Sequence, residues 1–383
     1  MSSLSLYTHI PYCKSKCPYC DFYSGPAAEL GVTQGKYFDA LAEELQLAIN
    51  AYGLRGRMLH TLYFGGGTPG YCDPALYRAF IQVVRESFEH PDHAEWTLEI
   101  NPGATDENHI DGFMQLGMNR FSVGVQSFQP RLLKTLGRIH QAEDARRMLS
   151  LLRPLTDDGR RLSLDLIFAV DSQTLEEWEA DLDAALEHAP GHISLYGLTY
   201  HEGTPFHRLR AQGHMREAND ESQLAMYDLA RAKLTQAGYE HYEISNFARP
   251  GCQCAHNRTY WEHGDYLGLG ASAHSCIDGR RFWNPADAER WSGALLAGKL
   301  PHEDEETPSE RSRLAERVML GLRLLEGLSL SAFRRETGID AAEYFAPEIA
   351  KLTEQGLLEC VKDRLRLTAS GLHLADTVMA EFF

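Results

Sequence analysis

Short apolar runs alternate with longer stretches in which apolar residues recur at helical spacing, and the two patterns change places repeatedly along the chain. The runs predict strands over residues 5–10, 58–64, 96–100, 120–125, 162–168 and 192–198, with one more short strand at 241–244. The spaced segments predict helices over 37–51, 108–116, 130–136, 142–152, 175–187 and 220–237. Strands alternating with amphipathic helices form βαβ units around a parallel sheet, so the pattern alone gives an α/β fold. Further on, residues 284–300 read as a helix leading into the acidic linker HEDEETPSE. A helix capped by Ser309 then carries Leu314, Val318, Leu322 and Leu325 on one face. LLECVKDRLRLT reads as a hairpin turning at Lys362-Asp363-Arg364, followed by a closing helix over 369–383. The expected organisation is a domain over 1–250, a connecting segment over 251–305 and a smaller α+β, winged-helix-like domain over 306–383.

Composition narrows the function classes. The 383 residues are 43% hydrophobic, enough for a sizeable core, and 37 Lys and Arg against 54 Asp and Glu leave a net charge of −17. That balance argues against general affinity for nucleic acid or an anionic membrane, and the arginines of the C-terminal hairpin are interleaved with acids rather than gathered in a stripe. No apolar run approaches the ~18 residues of a transmembrane helix, and the N-terminus lacks the pattern of a signal peptide. Eight cysteines are too sparse for a disulfide framework in a chain of this length. A cytosolic protein is expected, with no transmembrane segment; peripheral association with a membrane through respiratory partners stays open.

The candidate chemistry begins at YTHIPYCKSKCPYCDFY. Cys13, Cys17 and Cys20 stand in C-x3-C-x2-C spacing with no fourth cysteine nearby, on a loop punctuated by Pro11 and Pro18. Three thiolates hold three irons of a [4Fe-4S] cluster and leave the fourth iron open. The same residues also fit a zinc site completed by His9 or Asp21, or three ordinary core cysteines. After the second strand come Gly65, Gly66, Gly67 and Thr68, either a tight turn or a turn presenting bare backbone groups to a small zwitterion; no P-loop lysine is present. Glu99, Gln126, Arg138 and Asp165 lie at or beyond strand ends, where parallel α/β folds bind ligands, and each also fits a structural ion pair or cap.

The cysteine spacing, with an aromatic before the last cysteine, resembles the radical S-adenosylmethionine (SAM) superfamily. HIPYC and CPYCDFYS bring it close to the branch of anaerobic coproporphyrinogen oxidases and HemW haem chaperones. The resemblance implies a partial (β/α)6 barrel, a [4Fe-4S] cluster on Cys13, Cys17 and Cys20, and SAM chelating the open iron. It implies SAM contacts at Tyr7, at Gly66, Gly67 and Thr68, and at the polar residues of LEINP, GVQSF, LGRIH and LDLIF: Glu99, Gln126, Arg138 and Asp165. One departure follows Asp165, where Ala169-Val170-Asp171-Ser172 stand in place of the family's Gly-Leu-Pro-Gly before Gln173 and Thr174. His256, Asn257, Tyr260 and Trp261 match the HNxxYW motif of the haem chaperones, which implies haem binding and a haem-acceptor protein as partner. An imidazole can ligate haem iron, and aromatic rings can lie on a porphyrin. His274 is a secondary haem candidate, and Cys252, Cys254 and His256 form a C-x-C-x-H that fits a second metal. The oxidase branch, which decarboxylates coproporphyrinogen III by radical chemistry, has a further cysteine where this chain has Phe22 and lacks HNxxYW.

Overall fold

Six strands lie side by side in chain order and run parallel: β1 (Leu4–Ile10), β2 (Leu59–Gly66), β3 (Glu95–Ile100), β4 (Arg120–Gln126), β5 (Leu162–Phe168) and β6 (His192–Gly197). They belong to a computed structural model that describes residues 3–91 and 94–383. Helices α1 (Gln34–Tyr52), α2 (Arg78–Ser87), α3 (Ile110–Gln115), α4 (Pro130–Thr135), α5 (Ala142–Leu155) and α6 (Leu175–Glu187) follow β1 to β5 in turn. α7 (Pro205–Ala211) and α8 (Asp220–Gln236) follow β6. This is the partial (β/α)6 barrel expected; α2 and α7 were not foreseen from periodicity.

The strands alternate more strictly than their apolar content suggests. Leu62, Leu98, Val123, Leu164 and Leu195 point outward and are buried against Leu41, Val84, Phe113, Leu149 and Trp178 from the helices. Full burial of such a side chain contributes about 1.5–3 kcal/mol, so this layer holds the barrel together. The inward positions are polar: Tyr7, Tyr63, Glu99, Ser122, Asp165 and Tyr196 line internal cavities. Parallel strands buried on both faces usually read as continuous apolar runs. Here the concave face is left for ligands and buried hydrogen bonds.

The sheet continues past both barrel edges. β7 (Glu240–Glu243) and β8 (Asn246–Ala248) form a hairpin, with β8 antiparallel to β6. On the other side β9 (Asp265–Leu269) lies parallel to β1, followed by antiparallel β10 (His274–Ile277), β11 (Arg280–Trp283) and β12 (Asp304–Glu306), giving 12 strands. The stretch read as a connecting segment therefore supplies four strands of the main sheet, together with α9 (Ala255–Trp261) and α10 (Ala288–Leu296). Part of the acidic linker is a strand rather than a linker. Arg280 and Arg281 on β11 pair with Glu305 and Glu306 across the ladder at 2.6 and 2.7 Å, which turns an unpromising acidic run into an edge strand. The helix expected over 284–300 is shorter because Asn284 is used elsewhere: its Nδ2 donates to buried Glu44 at 2.6 Å and to the Gly270 carbonyl at 2.9 Å. The glycines of the 265–275 stretch serve backbone packing, since a Cβ on Gly268 would lie 2.1 Å from the His274 carbonyl oxygen.

The C-terminal unit has its own core and sheet. α11 (Glu310–Arg323), β13 (Leu328–Ser329), α12 (Leu330–Thr337), α13 (Ala341–Tyr344), α14 (Ala346–Glu354), β14 (Leu358–Val361), β15 (Arg364–Leu367), α15 (Ala369–His373) and α16 (Ala375–Ala380) enclose Leu314, Val318, Leu322, Phe333, Phe345 and Phe382. Its strands pair in the order β13-β15-β14, the small antiparallel sheet of a winged-helix-like unit. Leu325 lies beyond the end of α11, and the closing helix breaks at Leu374 into two. No helix among the described residues is long and apolar enough to cross a membrane.

Candidate functional site

β1 ends at Ile10 and the chain loops away, closed at its base by Gly25 N donating to the Pro11 carbonyl (2.9 Å) and Cys13 N donating to the Gly25 carbonyl (3.0 Å). Cys13, Cys17 and Cys20 sit on this loop as free, partly exposed thiols. Thr68 Oγ1 donates to Cys13 Sγ at 3.6 Å, Arg138 Nη1 donates to Cys17 Sγ at 3.4 Å, and Ser24 Oγ lies 4.0 Å from Cys20 Sγ. Burial lifts the Cys13 and Cys20 thiols above their ordinary values, opposed by hydrogen bonds that favour the thiolate. The residues offered for a zinc site do not join them. His9 Nε2 bonds the Tyr23 carbonyl at 2.8 Å and its Nδ1 the Tyr7 hydroxyl at 3.1 Å, while Asp21 lies 3.4 Å from His201. Among the described residues no three His, Cys, Asp or Glu side chains form a set for a single metal ion. The C-x-C-x-H group is likewise dispersed: Cys252 Sγ faces the Pro250 carbonyl, Cys254 Sγ faces Glu95, and His256 points elsewhere.

The thiols open onto a pocket of about 390 Å³ at the C-terminal rim of the barrel, which also gathers Gly66, Gly67, Thr68, Glu99, Gln126, Arg138 and Asp165. Here the glycines are required. Gly66 has φ +107°, and a Cβ there would lie 2.6 Å from the His9 ring; a Cβ on Gly67 would lie 2.8 Å from the Pro11 backbone. Gln126 stands at φ +67° at a register shift between β4 and β5, a bulge that re-aims the side chain at the rim. Arg138 Nη2 donates to Asn101 Oδ1 (2.6 Å) and to the Gly124 carbonyl (3.0 Å), while its buried Nε has no partner among the described residues. A buried guanidinium N–H with no acceptor suits a carboxylate-bearing ligand.

Glu99 accepts from the Tyr63 hydroxyl at 2.8 Å and from the Gly66 amide at 3.3 Å. Burial, opposed by the Tyr63 bond and reinforced by nearby Asp165, lifts its carboxyl from the ordinary 4.5 to about 7. Burial also raises Asp165, whose carboxylate is approached by Ser122 Oγ at 3.4 Å. Two carboxylates facing one shielded pocket favour a cationic ligand that relieves both. Asn101, missed in the sequence, joins the parts: its Nδ2 donates to Thr68 Oγ1 at 2.8 Å while its Oδ1 holds Arg138. The signal available was its place at a strand end, immediately before Pro102. Tyr7 is the one expected SAM contact that does not line this pocket itself; it lines an adjoining cavity of about 220 Å³ that shares Gly66, Glu99, Ser122, Asp165 and Tyr196 with it.

Below that cavity, at the N-terminal ends of the strands, α9 closes the barrel. Glu95 accepts from the amides of Ala255 (3.2 Å) and His256 (3.1 Å), a carboxylate placed against the free N–H groups of the helix start. His256, expected as a haem ligand, is 1% exposed. Its Nδ1 lies 2.6 Å from Thr61 Oγ1 and its Nε2 lies 2.8 Å from the Tyr260 hydroxyl, so neither nitrogen is free for iron in this arrangement. Burial and the Arg120 charge hold it neutral, down to about 3. The imidazole stacks on Tyr63 at 4.8 Å, and Tyr63 donates to Glu99, so the motif touches the rim pocket through one ring. Asn257 lines the same inner cavity. Trp261 turns outward, with Arg323 4.2 Å over its ring and its buried Nε1 without a partner among the described residues. His274 is exposed and stacks on Trp283, away from these groups.

The loop after β5 keeps a glycine-like backbone without glycine. Ala169 has φ +60° and Ser172 φ +57°, the two positions where the family pattern has Gly. Gln173 Oε1 accepts from Val170 N at 3.1 Å, and Thr174 caps α6 in a capping box with Glu177, which hold the strained turn between them.

A family described as the Radical SAM superfamily matches residues 7–185, and one described as the HemN C-terminal domain matches residues 309–374. A Mycobacterium tuberculosis protein named Heme chaperone HemW is 33% identical over 98% of this chain and 93% of its own length. Its namesake in Escherichia coli is 34% identical over 99% of this chain and 98% of its own. The Synechocystis sp. protein of that name is 37% identical over 84% of this chain and 78% of its own. The solved structure of coproporphyrinogen III oxidase (HemN) from Escherichia coli superimposes with a TM-score of 0.84 at 23% identity, covering 100% of this chain and 90% of that one, a likeness of fold.

Proposed function

The chain belongs to the Heme chaperone HemW family, and from that membership we propose that it binds haem and passes it to an acceptor protein while holding a [4Fe-4S] cluster and SAM at the barrel rim. The observation that carries the cofactor part is one pocket uniting three cysteines, a glycine turn, two raised carboxylates and an arginine with an unused N–H. Cys13, Cys17 and Cys20 would each hold one iron, with Thr68 and Arg138 donating to the thiolates. When bound, the cluster supplies an iron with an open position for the amino and carboxylate groups of SAM. Arg138 Nε would take a carboxylate oxygen, and Glu99 and Asp165 would take ammonium or ribose hydroxyl protons. The backbone of Gly66 to Thr68 admits the ligand closely because no Cβ intervenes.

The acceptor is read as a haem protein, such as a respiratory one, and the cluster suits a reducing compartment such as the cytosol. The decarboxylase reading loses ground at Phe22, which is 60% exposed beside the pocket where that branch has a cysteine. The test is anaerobic reconstitution followed by haem titration and transfer to an apo-haemoprotein. About four irons per chain, a SAM-dependent change in the cluster spectrum, stoichiometric haem and its transfer are expected. Zinc or no metal at the thiols, or conversion of coproporphyrinogen III with SAM consumption, would overturn the proposal.

A further inference from the structure

Between the barrel and the C-terminal unit lies a second cleft, of about 700 Å³, walled by the end of α9, by β9 and β10, and by α11 and α12. It is larger than the rim pocket and falls within the roughly 300–1,000 Å³ of cofactor-sized sites. Two groups lining it have no partner among the described residues, and a third meets only its own backbone. Trp261 Nε1 is buried with no acceptor among the described residues. Among the described residues Arg313 forms no ion pair, whereas its neighbours Arg281 and Arg317 are held by Glu306 and Glu336. The His263 imidazole bonds the backbone of its own residue and no other side chain among the described residues, and burial beside Arg317 and Arg281 lowers it from the ordinary imidazole value.

His263 also sits where helix geometry favours a different residue. α9 ends in a Schellman motif: Gly264 N donates to the Thr259 carbonyl at 2.7 Å and His263 N to the Tyr260 carbonyl at 3.1 Å. The residue at the turn takes φ +59°, the conformation for which glycine is the usual choice. A histidine there forgoes local stability while placing an imidazole in the cleft. Tyr260, Trp261 and Tyr266 supply aromatic surface along the same wall. An imidazole, aromatic faces and an unpaired guanidinium at the mouth match, in turn, an iron, a flat macrocycle and a carboxylate.

Resting on the haem-binding reading above, we propose that haem is received in this cleft, with His263 as an iron ligand and Arg313 on a propionate. His256 then acts as the packed support beneath Tyr260 and Trp261 rather than as the ligand.

The test uses the reconstituted full chain titrated with haem, read by the Soret band and by electron paramagnetic resonance. His263→Gly should fold with an unchanged or higher thermal midpoint, because glycine suits that turn. It should lose the imidazole-ligated spectrum and bind haem at least about tenfold more weakly, a loss at the lower end of the range seen even for outer partners of metal sites. Arg313→Ala should weaken binding of haem but not of its dimethyl ester. If His263→Gly keeps the wild-type spectrum and affinity, or if only His256→Ala abolishes them, the cleft assignment is wrong while the haem-chaperone reading stands. If wild-type protein binds no haem, both fall.

Discussion

Replacing Glu99 by glutamine should make the chain more stable at alkaline pH while weakening its hold on a cationic ligand. The carboxyl group ionises near 7 in the folded protein against an ordinary 4.5. Between those values the folded state binds more protons than the unfolded one, so stability falls as pH rises. The penalty is absent below about pH 4.5 and complete above about pH 7, where it reaches roughly 3 kcal/mol at 1.36 kcal/mol per pH unit. Glutamine removes the ionisation and retains one oxygen for the Tyr63 hydroxyl, but the Gly66 amide loses its acceptor at a cost of about 1 kcal/mol. The net gain expected for Glu99→Gln is therefore about 2 kcal/mol at pH 8 and close to zero at pH 5. Urea unfolding of the cluster-free proteins at both pH values, followed by circular dichroism, measures it. SAM binding to the reconstituted variant should weaken by about 10- to 100-fold, the worth of a charge-assisted hydrogen bond. Equal pH dependence of stability in both proteins would refute the argument, because Glu99 would then not be the group that titrates.

Gly67→Ala drives a Cβ against the Pro11 backbone, so the cluster loop must shift; iron content after reconstitution should fall while the far-ultraviolet spectrum is kept. Ser172→Gly relieves left-handed backbone at an exposed position and should raise stability by roughly 0.5–1 kcal/mol, read as a higher thermal midpoint, whereas Ala169→Gly also removes a methyl buried in the core, worth about 0.8 kcal/mol, and should leave the midpoint nearly unchanged. His256→Ala leaves Thr61 and Tyr260 without their shared partner, so a loss of roughly 2–4 kcal/mol is expected, accompanied by weaker SAM binding through the freed Tyr63. A His256→Ala protein of native stability and SAM affinity would show that the contact chain from α9 to Glu99 is idle.

Much of the fold was legible because buried parallel strands and amphipathic helices leave local periods. β1 to β6, the cysteine loop and the C-terminal hairpin could be read within short windows of sequence. The polar alternation inside the strands is equally present, as in Arg120-Phe121-Ser122-Val123, but that its polar side lines a cavity follows only once the strands curve into a barrel. β12 escaped because an acidic run becomes a strand only when Arg280 and Arg281 arrive from β11 to face it.

The residue types at the rim pocket were set locally, since a cysteine spacing and a glycine turn state their chemistry in a few adjacent letters. Which of them meet was decided by contacts between residues far apart in the chain. Arg138 reaches Cys17 across 121 positions and His256 reaches Thr61 across 195, and no local pattern encodes such distances. For the same reason the sequence could mark His256 as chemically apt but could not show that both its nitrogens are already bonded beneath the barrel. Availability depends on neighbours, and only the folded chain supplies them.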